Sequence, residues 1–332
     1  MRLVTFVDSS GNERIGALFD NDRRIADLAR ADAQAGKPLT SAFTDMLALI
    51  DGGEPALDRA RDLLAKVARG SLDAAVARDA IRLLAPIPVP RQMRDFLCFE
   101  QHLIKAREMR FRKMAAREPD PEAAFKAYKD KGLIPPPKVW YEQPIYYRCN
   151  TFNVIGTGAD IVWPSYCRLL DYELEYAACI GKRGRNIRAS EARSYIFGYT
   201  IFNDISARDT QAKEMEGQLG PGKGKDFDTG NVMGPCLVTA DEIPDPYALA
   251  MRAKINGQQW TDGHSSTIHW RFEDLIARAS LEETLHPGEY LCSGTVGGGC
   301  GIEHDRWLKP GDLIELEVEK IGVLRNRVVK PN

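Results

Sequence analysis

Asp171, Glu173 and Glu175 alternate with larger, mostly apolar residues in the run Leu170-Asp171-Tyr172-Glu173-Leu174-Glu175-Tyr176. On an extended chain this period of two puts the three carboxylates on one face. Like charges so close repel unless water or a cation neutralises them, and a set of ligands made only of oxygen suits Mg²⁺, Mn²⁺ or Ca²⁺ better than zinc. Taken alone, such a run reads most simply as an edge strand whose acidic face meets water. A second segment, Gly198 to Gln211, strengthens the cation reading: an apolar run ends in Asn203-Asp204-Ile205-Ser206-Ala207-Arg208, as a strand delivering a site does. Asp204, at the end of that strand, is then a candidate for a further ligand. If a helical turn follows, Arg208 and Gln211 share a face and can hold a carboxylate and a carbonyl; a capped helix with a surface ion pair is the plainer alternative. The loop Gly222-Lys223-Gly224-Lys225 lacks the glycine spacing of a phosphate-binding loop. Lys225 is instead a fixed positive charge for a developing enolate, or else a solvated loop lysine.

The elements that must position these groups follow from pattern. Residues 3 to 7 and 15 to 19 read as a hairpin around Asp8-Ser9-Ser10-Gly11-Asn12. Helical spacings follow at about 41 to 50 and 55 to 68. Leu84-Ala85-Pro86-Ile87-Pro88-Val89-Pro90 cannot be helical, because proline removes donors and extends its predecessor, and it is the expected domain boundary. Between 97 and about 134 the chain reads as two helices, the second opened by Asp120 as N-cap and Pro121 at its first position. After 138, short runs rich in β-branched residues, such as Val154-Ile155, Ile161-Val162-Trp163 and Leu313 to Val318, alternate with Gly, Pro and Asp turns and predict a β-rich body.

Composition narrows the function. The 332 residues are 44% apolar and 28% charged, the balance of a folded protein with a sizeable core rather than a disordered one. A formal net charge of -2, with both signs mixed along the chain, gives no electrostatic ground for nucleic acid or an anionic membrane, so small molecules are the expected partners. No apolar stretch reaches the roughly 18 residues of a membrane span, and a cytoplasmic address is expected. Seven cysteines without CxxC pairs read as buried free thiols.

Several ordered motifs together resemble the fumarylacetoacetate hydrolase superfamily over about Asp95 to Val328. They are Leu170 to Glu175, Asn203 to Asp209, Gly224-Lys225-Asp226-Phe227-Asp228-Thr229, Ser293-Gly294-Thr295, Lys309-Pro310-Gly311-Asp312 and Gly322 to Arg327. The resemblance implies a mixed α/β, mainly β architecture: a β-roll catalytic domain over 89–332 with a helical lid at about 100–134, preceded by a small α+β domain over 1–88. It also implies that Glu173, Glu175 and Asp204 ligate Mg²⁺, Mn²⁺ or Ca²⁺, that Arg208, Gln211, Lys225, Thr229 and Thr295 surround a small oxo-acid, and that the protein is a homodimer acting in aromatic catabolism.

Within that resemblance His102 is the candidate general base, seven residues after Asp95 as in the larger hydrolases of the family. Imidazole titrates near neutrality, and a carboxylate partner orients its ring. Shorter acylpyruvate hydrolases pair this His with a Glu three residues on, but here that position is Lys105. Glu100 or a carboxylate from another loop is the substitute. The basic helix with Lys105, Arg107, Arg110, Arg112 and Lys113 is either a lid that recognises an anionic substrate or a solvated face. His264, His269, His286 and His304 lack metal-ligand spacing and take no role. The leading expectation is hydrolysis of a C–C bond in a 1,3-dioxo acid through an enolate held on the cation, with His102, Lys225, Arg208 and Gln211 as the catalytic set. Decarboxylation, isomerisation or hydration of a 2-oxo acid is the alternative, and a ligand-binding homologue without turnover a third.

Overall fold

The computed structural model describes residues 1–36 and 40–331. The hairpin forms as expected from Arg2–Val7 and Glu13–Phe19, with Leu3 opposite Ala17 and Thr5 opposite Ile15. Its turn is held by Asp8, whose Oδ1 accepts from the backbone of Ser10 and Asn12, and by Gly11 at φ 85°, a region that favours glycine. The expected helices appear as Met46–Asp51 and Gly53–Ala68, and later as Glu100–Ala115 and Pro121–Asp130. Asp120 caps the last of these through Ala123 N at 3.1 Å.

The fold is mixed α/β with more strand than helix. The large sheet runs, in spatial order, Ala75–Ala77, Arg24–Asp27, Glu13–Phe19, Arg2–Val7, Asn231–Thr239, Ile196–Asp204, Leu174–Ile180, Tyr290–Cys292, Met93–Phe96 and Tyr146–Arg148. A second sheet of five strands carries Gln258–His264, Ala250–Ile255, Leu313–Val318, Gly322–Val329 and Asp160–Val162. One core cluster fills the space between the sheets, with Leu174, Ile201, Val232, Met251, Leu316 and Leu324. Another lies on the opposite face, where Ala177, Phe202, Met233 and Leu237 meet Leu49, Leu57 and Leu63 of the N-terminal helices. The middle strands are thus covered on both faces, which is why Leu174–Ile180 and Asn231–Thr239 are buried at every position instead of alternating.

No helix or strand forms over residues 84–90, as the prolines require. The large sheet nevertheless continues across that point, because Arg2 and Leu3 pair with Val238 and Leu237. Residues 1–88 extend the same sheet and share its second core. All seven cysteines are free and buried, as expected, and among the described residues no helix is long and apolar enough to cross a membrane.

Candidate functional site

Three strands deliver carboxylates to one point. Asp95 lies on Met93–Phe96, which runs parallel to Tyr290–Cys292 with Asp95 opposite Cys292; Glu175 lies on Leu174–Ile180; Asp204 closes Ile196–Asp204. One oxygen from each lies within 4.8 Å of the others. All three groups are buried, and Asp95 Oδ1, Glu175 Oε2 and Asp204 Oδ1 have no hydrogen-bond partner. Unpartnered anionic oxygens without water are costly, so this donor set fits a hard divalent cation in size and chemistry.

Electrostatics agree. Burial, then the neighbouring Asp204, pushes the Asp95 carboxyl well above its ordinary range, and burial followed by Asp95 does the same to Glu175. Burial also raises Asp204, against the pull of Lys225. Below the ordinary carboxylate range both folded and unfolded chains hold these protons. As pH rises the unfolded chain releases them first, so without a cation these groups lose their contribution to stability as pH climbs through the raised values. A cation must displace the same protons. The rise in melting temperature caused by Mn²⁺ is therefore expected to be larger at pH 8 than at pH 5.5, as thermal unfolding measures directly; an equal rise at both would contradict protonated carboxylates in the cation-free site.

Glu173 lies beside this cluster and is held by two positive side chains. Its backbone N–H donates to Asn203 Oδ1 at 3.0 Å, Oε1 accepts from Arg208 Nη2 at 2.7 Å, and Oε2 accepts from Lys225 Nζ at 2.6 Å. Burial alone would raise its carboxyl, but Arg208 and Lys225 hold it well below the usual range. Lys225 also donates to Asp204 and to Ser206 Oγ, which uses its three protons; burial opposes its charge, yet Asp204 and Glu173 raise its pKa. Thus the structure gathers Glu175 and Asp204 with Asp95, and sets Glu173 between the two cations. Asp171, the first acid of the run, faces neither water nor this cluster. It accepts from Arg208 Nε at 2.9 Å and from the backbone of Gly301 and Ile302. A Cβ on Gly301 would lie 2.6 Å from Asp171 Oδ1 and 2.0 Å from the Arg306 carbonyl, so only glycine permits that approach.

Arg208 and Gln211 do share a face, with Arg208 Nη1 donating to Gln211 Oε1 at 3.0 Å. Thr295 Oγ1 lies 3.4 Å from Glu175 Oε1. These groups, with His102, Lys225 and Tyr147, line a cavity of about 340 Å³ whose mouth is formed by Leu97, Ile145, Met215 and Leu219. Thr229 is not on its wall: its hydroxyl accepts from Val162 N at 2.9 Å, because the loop after Lys225 turns away to meet the second sheet. Thr229→Val is accordingly expected to leave the KM for any substrate of this cavity unchanged within about twofold, an effect of surface-substitution size.

His102 finds its carboxylate in Glu303, 201 residues further along, with Nδ1 and Oε1 2.8 Å apart. Glu303 is fixed in turn by Gly298 N–H at 2.6 Å and by the Cys300 thiol at 3.3 Å. Glu100 engages the Tyr141 hydroxyl instead. The sequence reading allowed a carboxylate from another loop but had no means of naming Glu303. It also passed over Tyr147, whose hydroxyl donates to Asp204 Oδ2 at 2.6 Å. The basic side chains of the 100–115 helix do not line the cavity: Arg107 bonds the carbonyls of Leu133 and Ile134, Arg112 pairs with Glu108, and Lys113 pairs with Asp305.

With that geometry established, known proteins give the context. The family model described as fumarylacetoacetate (FAA) hydrolase C-terminal matches residues 94–329. The mitochondrial oxaloacetate tautomerase fahd2 of Xenopus laevis is 32% identical over 99% of this chain and 90% of its own length. The human oxaloacetate tautomerase FAHD2A, also mitochondrial, is 35% identical over 59% of this chain and 61% of its own. Among solved structures, the maleylpyruvate hydrolase of Sphingobium sp. SYK-6, in complex with manganese(II) ion and pyruvate, superimposes with a TM-score of 0.70 at 21% identity, covering 100% of both chains. A probable 2-hydroxyhepta-2,4-diene-1,7-dioate isomerase of Mycobacterium abscessus gives 0.69 at 24%, with the same coverage.

Proposed function

The chain belongs to the fumarylacetoacetate hydrolase family, and from that premise we propose that it is a divalent-cation-dependent enzyme interconverting the keto and enol forms of a small 2-oxo acid, with oxaloacetate as substrate. The observation that carries the reading is the junction of two devices in one cavity: an oxygen-only carboxylate cluster and a buried His102–Glu303 pair. The near full-length likeness to an oxaloacetate tautomerase favours tautomerisation over the C–C hydrolysis expected from sequence.

Asp95, Glu175 and Asp204 would hold Mg²⁺, Mn²⁺ or Ca²⁺, and Mn²⁺ is favoured by the ion in the Sphingobium structure. When bound, the cation supplies a Lewis acid that stabilises negative charge on the 2-oxo group. The chain supplies the rest. Glu303 takes the hydrogen bond of His102 Nδ1, which leaves the Nε2 lone pair as the basic position, and that nitrogen removes a proton from the carbon next to the ketone. The enolate oxygen takes a proton from water to give the enol, and the imidazolium releases its own to water; in the reverse direction the enol gives its oxygen proton to water and the imidazolium returns one to carbon. Lys225 provides fixed positive charge beside the oxygen that becomes negative, and Arg208 with Gln211 orients the substrate carboxylate. Apolar Leu97, Ile145 and Leu219 at the mouth limit water around the reacting carbon.

The same base directed at water instead of carbon would cleave a 1,3-dioxo acid, and the intact His102–Glu303 pair favours this as the second reading. The test uses oxaloacetate with Mg²⁺ or Mn²⁺, following enol absorbance in the ultraviolet alongside carbon dioxide and pyruvate. Cation-dependent acceleration of enol–keto exchange without pyruvate is the expected result. Pyruvate and carbon dioxide in equal amounts would assign decarboxylation instead, and no cation-dependent change with oxaloacetate or any acylpyruvate would leave a binding protein. A homodimer is proposed from the family alone, with sedimentation as its check.

A further inference from the structure

Sharing no lining residue with the cavity at the carboxylate cluster, a second cavity of about 520 Å³ lies where the 78–83 segment approaches the strand Gly322–Val329. Its charged lining is four arginines, Arg78, Arg82, Arg325 and Arg327, against one carboxylate, Asp160. This concentration occurs in a chain whose formal net charge is -2, so composition does not explain it. Arg325 and Arg327 are two apart on one strand and both exposed, and therefore project from the same face. Asp160 is the residue paired opposite Arg327.

The partners of these guanidinium groups leave most of their donors open. Arg325 pairs with Glu315 at 2.6 Å, and Arg327 Nη1 donates to the Gly311 carbonyl at 2.7 Å. Among the described residues the Arg78 and Arg82 side chains make no ion pair or hydrogen bond. The floor is rigid: Gly158 N–H donates to the Arg325 carbonyl at 2.8 Å, and Asn326, buried beneath the arginines, donates to the carbonyls of Gly156 and Ala159 at 2.8 Å each. Four like charges brought together from opposite ends of the sequence, on a preorganised base and with little internal compensation, are arranged for an anion.

We propose that this cavity binds a compact anion carrying two linked phosphoryl groups, separately from the oxo-acid site. Several guanidinium forks lining one cavity match the oxygens of a diphosphate better than those of one carboxylate. The group can come from free inorganic diphosphate or from a nucleoside diphosphate, and the cavity reads the chemistry common to both.

The experiment is isothermal titration of the full chain with inorganic pyrophosphate and with ADP, at constant ionic strength and without divalent cations. Saturable binding is expected, weakened about tenfold in Arg82→Gln and again in Arg327→Gln, the loss of one charge-assisted contact each. Arg327→Lys should restore only part of the affinity, since it keeps the charge and loses the fork. Tighter ADP than pyrophosphate assigns the nucleotide as the source, and equal or weaker ADP assigns the free diphosphate; either ordering supports the site. Absence of saturable heat for both probes overturns it. So does undiminished binding in the Arg82→Gln, Arg327→Gln double variant, whose fold is checked by an unchanged melting temperature.

Discussion

Glu175→Gln will bind Mn²⁺ at least about a hundredfold more weakly and turn over oxaloacetate about a thousandfold more slowly, the scale of losing one charged ligand of a Lewis-acid centre. Unfolding will not account for the loss. Glu175 is buried against Asp95 and its raised carboxyl withdraws stability as pH climbs, so an amide that cannot ionise should hold or raise the melting temperature of the cation-free protein. The informative comparison is between Asp95→Asn and Glu173→Gln. Asp95 shares the cluster of unpartnered oxygens, whereas both oxygens of Glu173 are taken by Arg208 and Lys225. Asp95→Asn is therefore expected to cost more cation affinity, and Glu173→Gln to impair turnover mainly through the two cations it releases. Calorimetric titration with Mn²⁺ separates them. A large affinity loss in Glu173→Gln with none in Asp95→Asn would assign Glu173, Glu175 and Asp204 as the ligands in place of Asp95, Glu175 and Asp204.

His102→Ala will lower kcat by about a thousandfold, the central value for removing a positioned general base, while Mn²⁺ affinity stays within a few-fold of the parent. Glu303→Gln will lose less, about tenfold to a hundredfold, because the amide still occupies the space but no longer stabilises the imidazolium. The signature is the split between kcat and KM: a partner that orients the base lowers kcat and leaves KM within a few-fold. Glu303→Gln with an unchanged kcat would make Glu303 a packing residue. Equal loss of enol–keto exchange and of acylpyruvate cleavage in His102→Ala would show one base serving both reactions, whereas loss of cleavage alone would remove His102 from the tautomerase mechanism.

Local pattern carried much of this. The alternation of Asp171, Glu173 and Glu175 with Tyr172, Leu174 and Tyr176 correctly separates polar from core positions, since those three apolar partners are all fully buried in the cluster between the sheets. What it could not settle is whether the acidic side meets water. The same alternation describes an exposed edge and a buried site, and only the covering of both faces of the large sheet distinguishes them. Arg208 and Gln211 were legible because three residues of helix place them together, a purely local fact. Tyr147 and Glu303 were not, since each meets its partner across 57 and 201 residues respectively, and no short-range period encodes such a distance.

By itself, then, the sequence supplied the candidate groups: a run of oxygen-bearing acids, a loop lysine and one imidazole seven residues after an aspartate, in a β-rich body opened by a hairpin. Those are properties of side-chain type and of periods two to four, which the backbone imposes locally. Tertiary structure decided which carboxylates meet. The parallel pairing of Met93–Phe96 with Tyr290–Cys292 brings Asp95 to Glu175 and Asp204, while Arg208 and Lys225 engage Glu173, Lys225 bridging it to Asp204. Strand order is a long-range choice, made by how two faces of one sheet are buried. Counting along a single strand cannot contain it, which is why the spacing brought forward an acidic run and only the fold shows which carboxylates lie together.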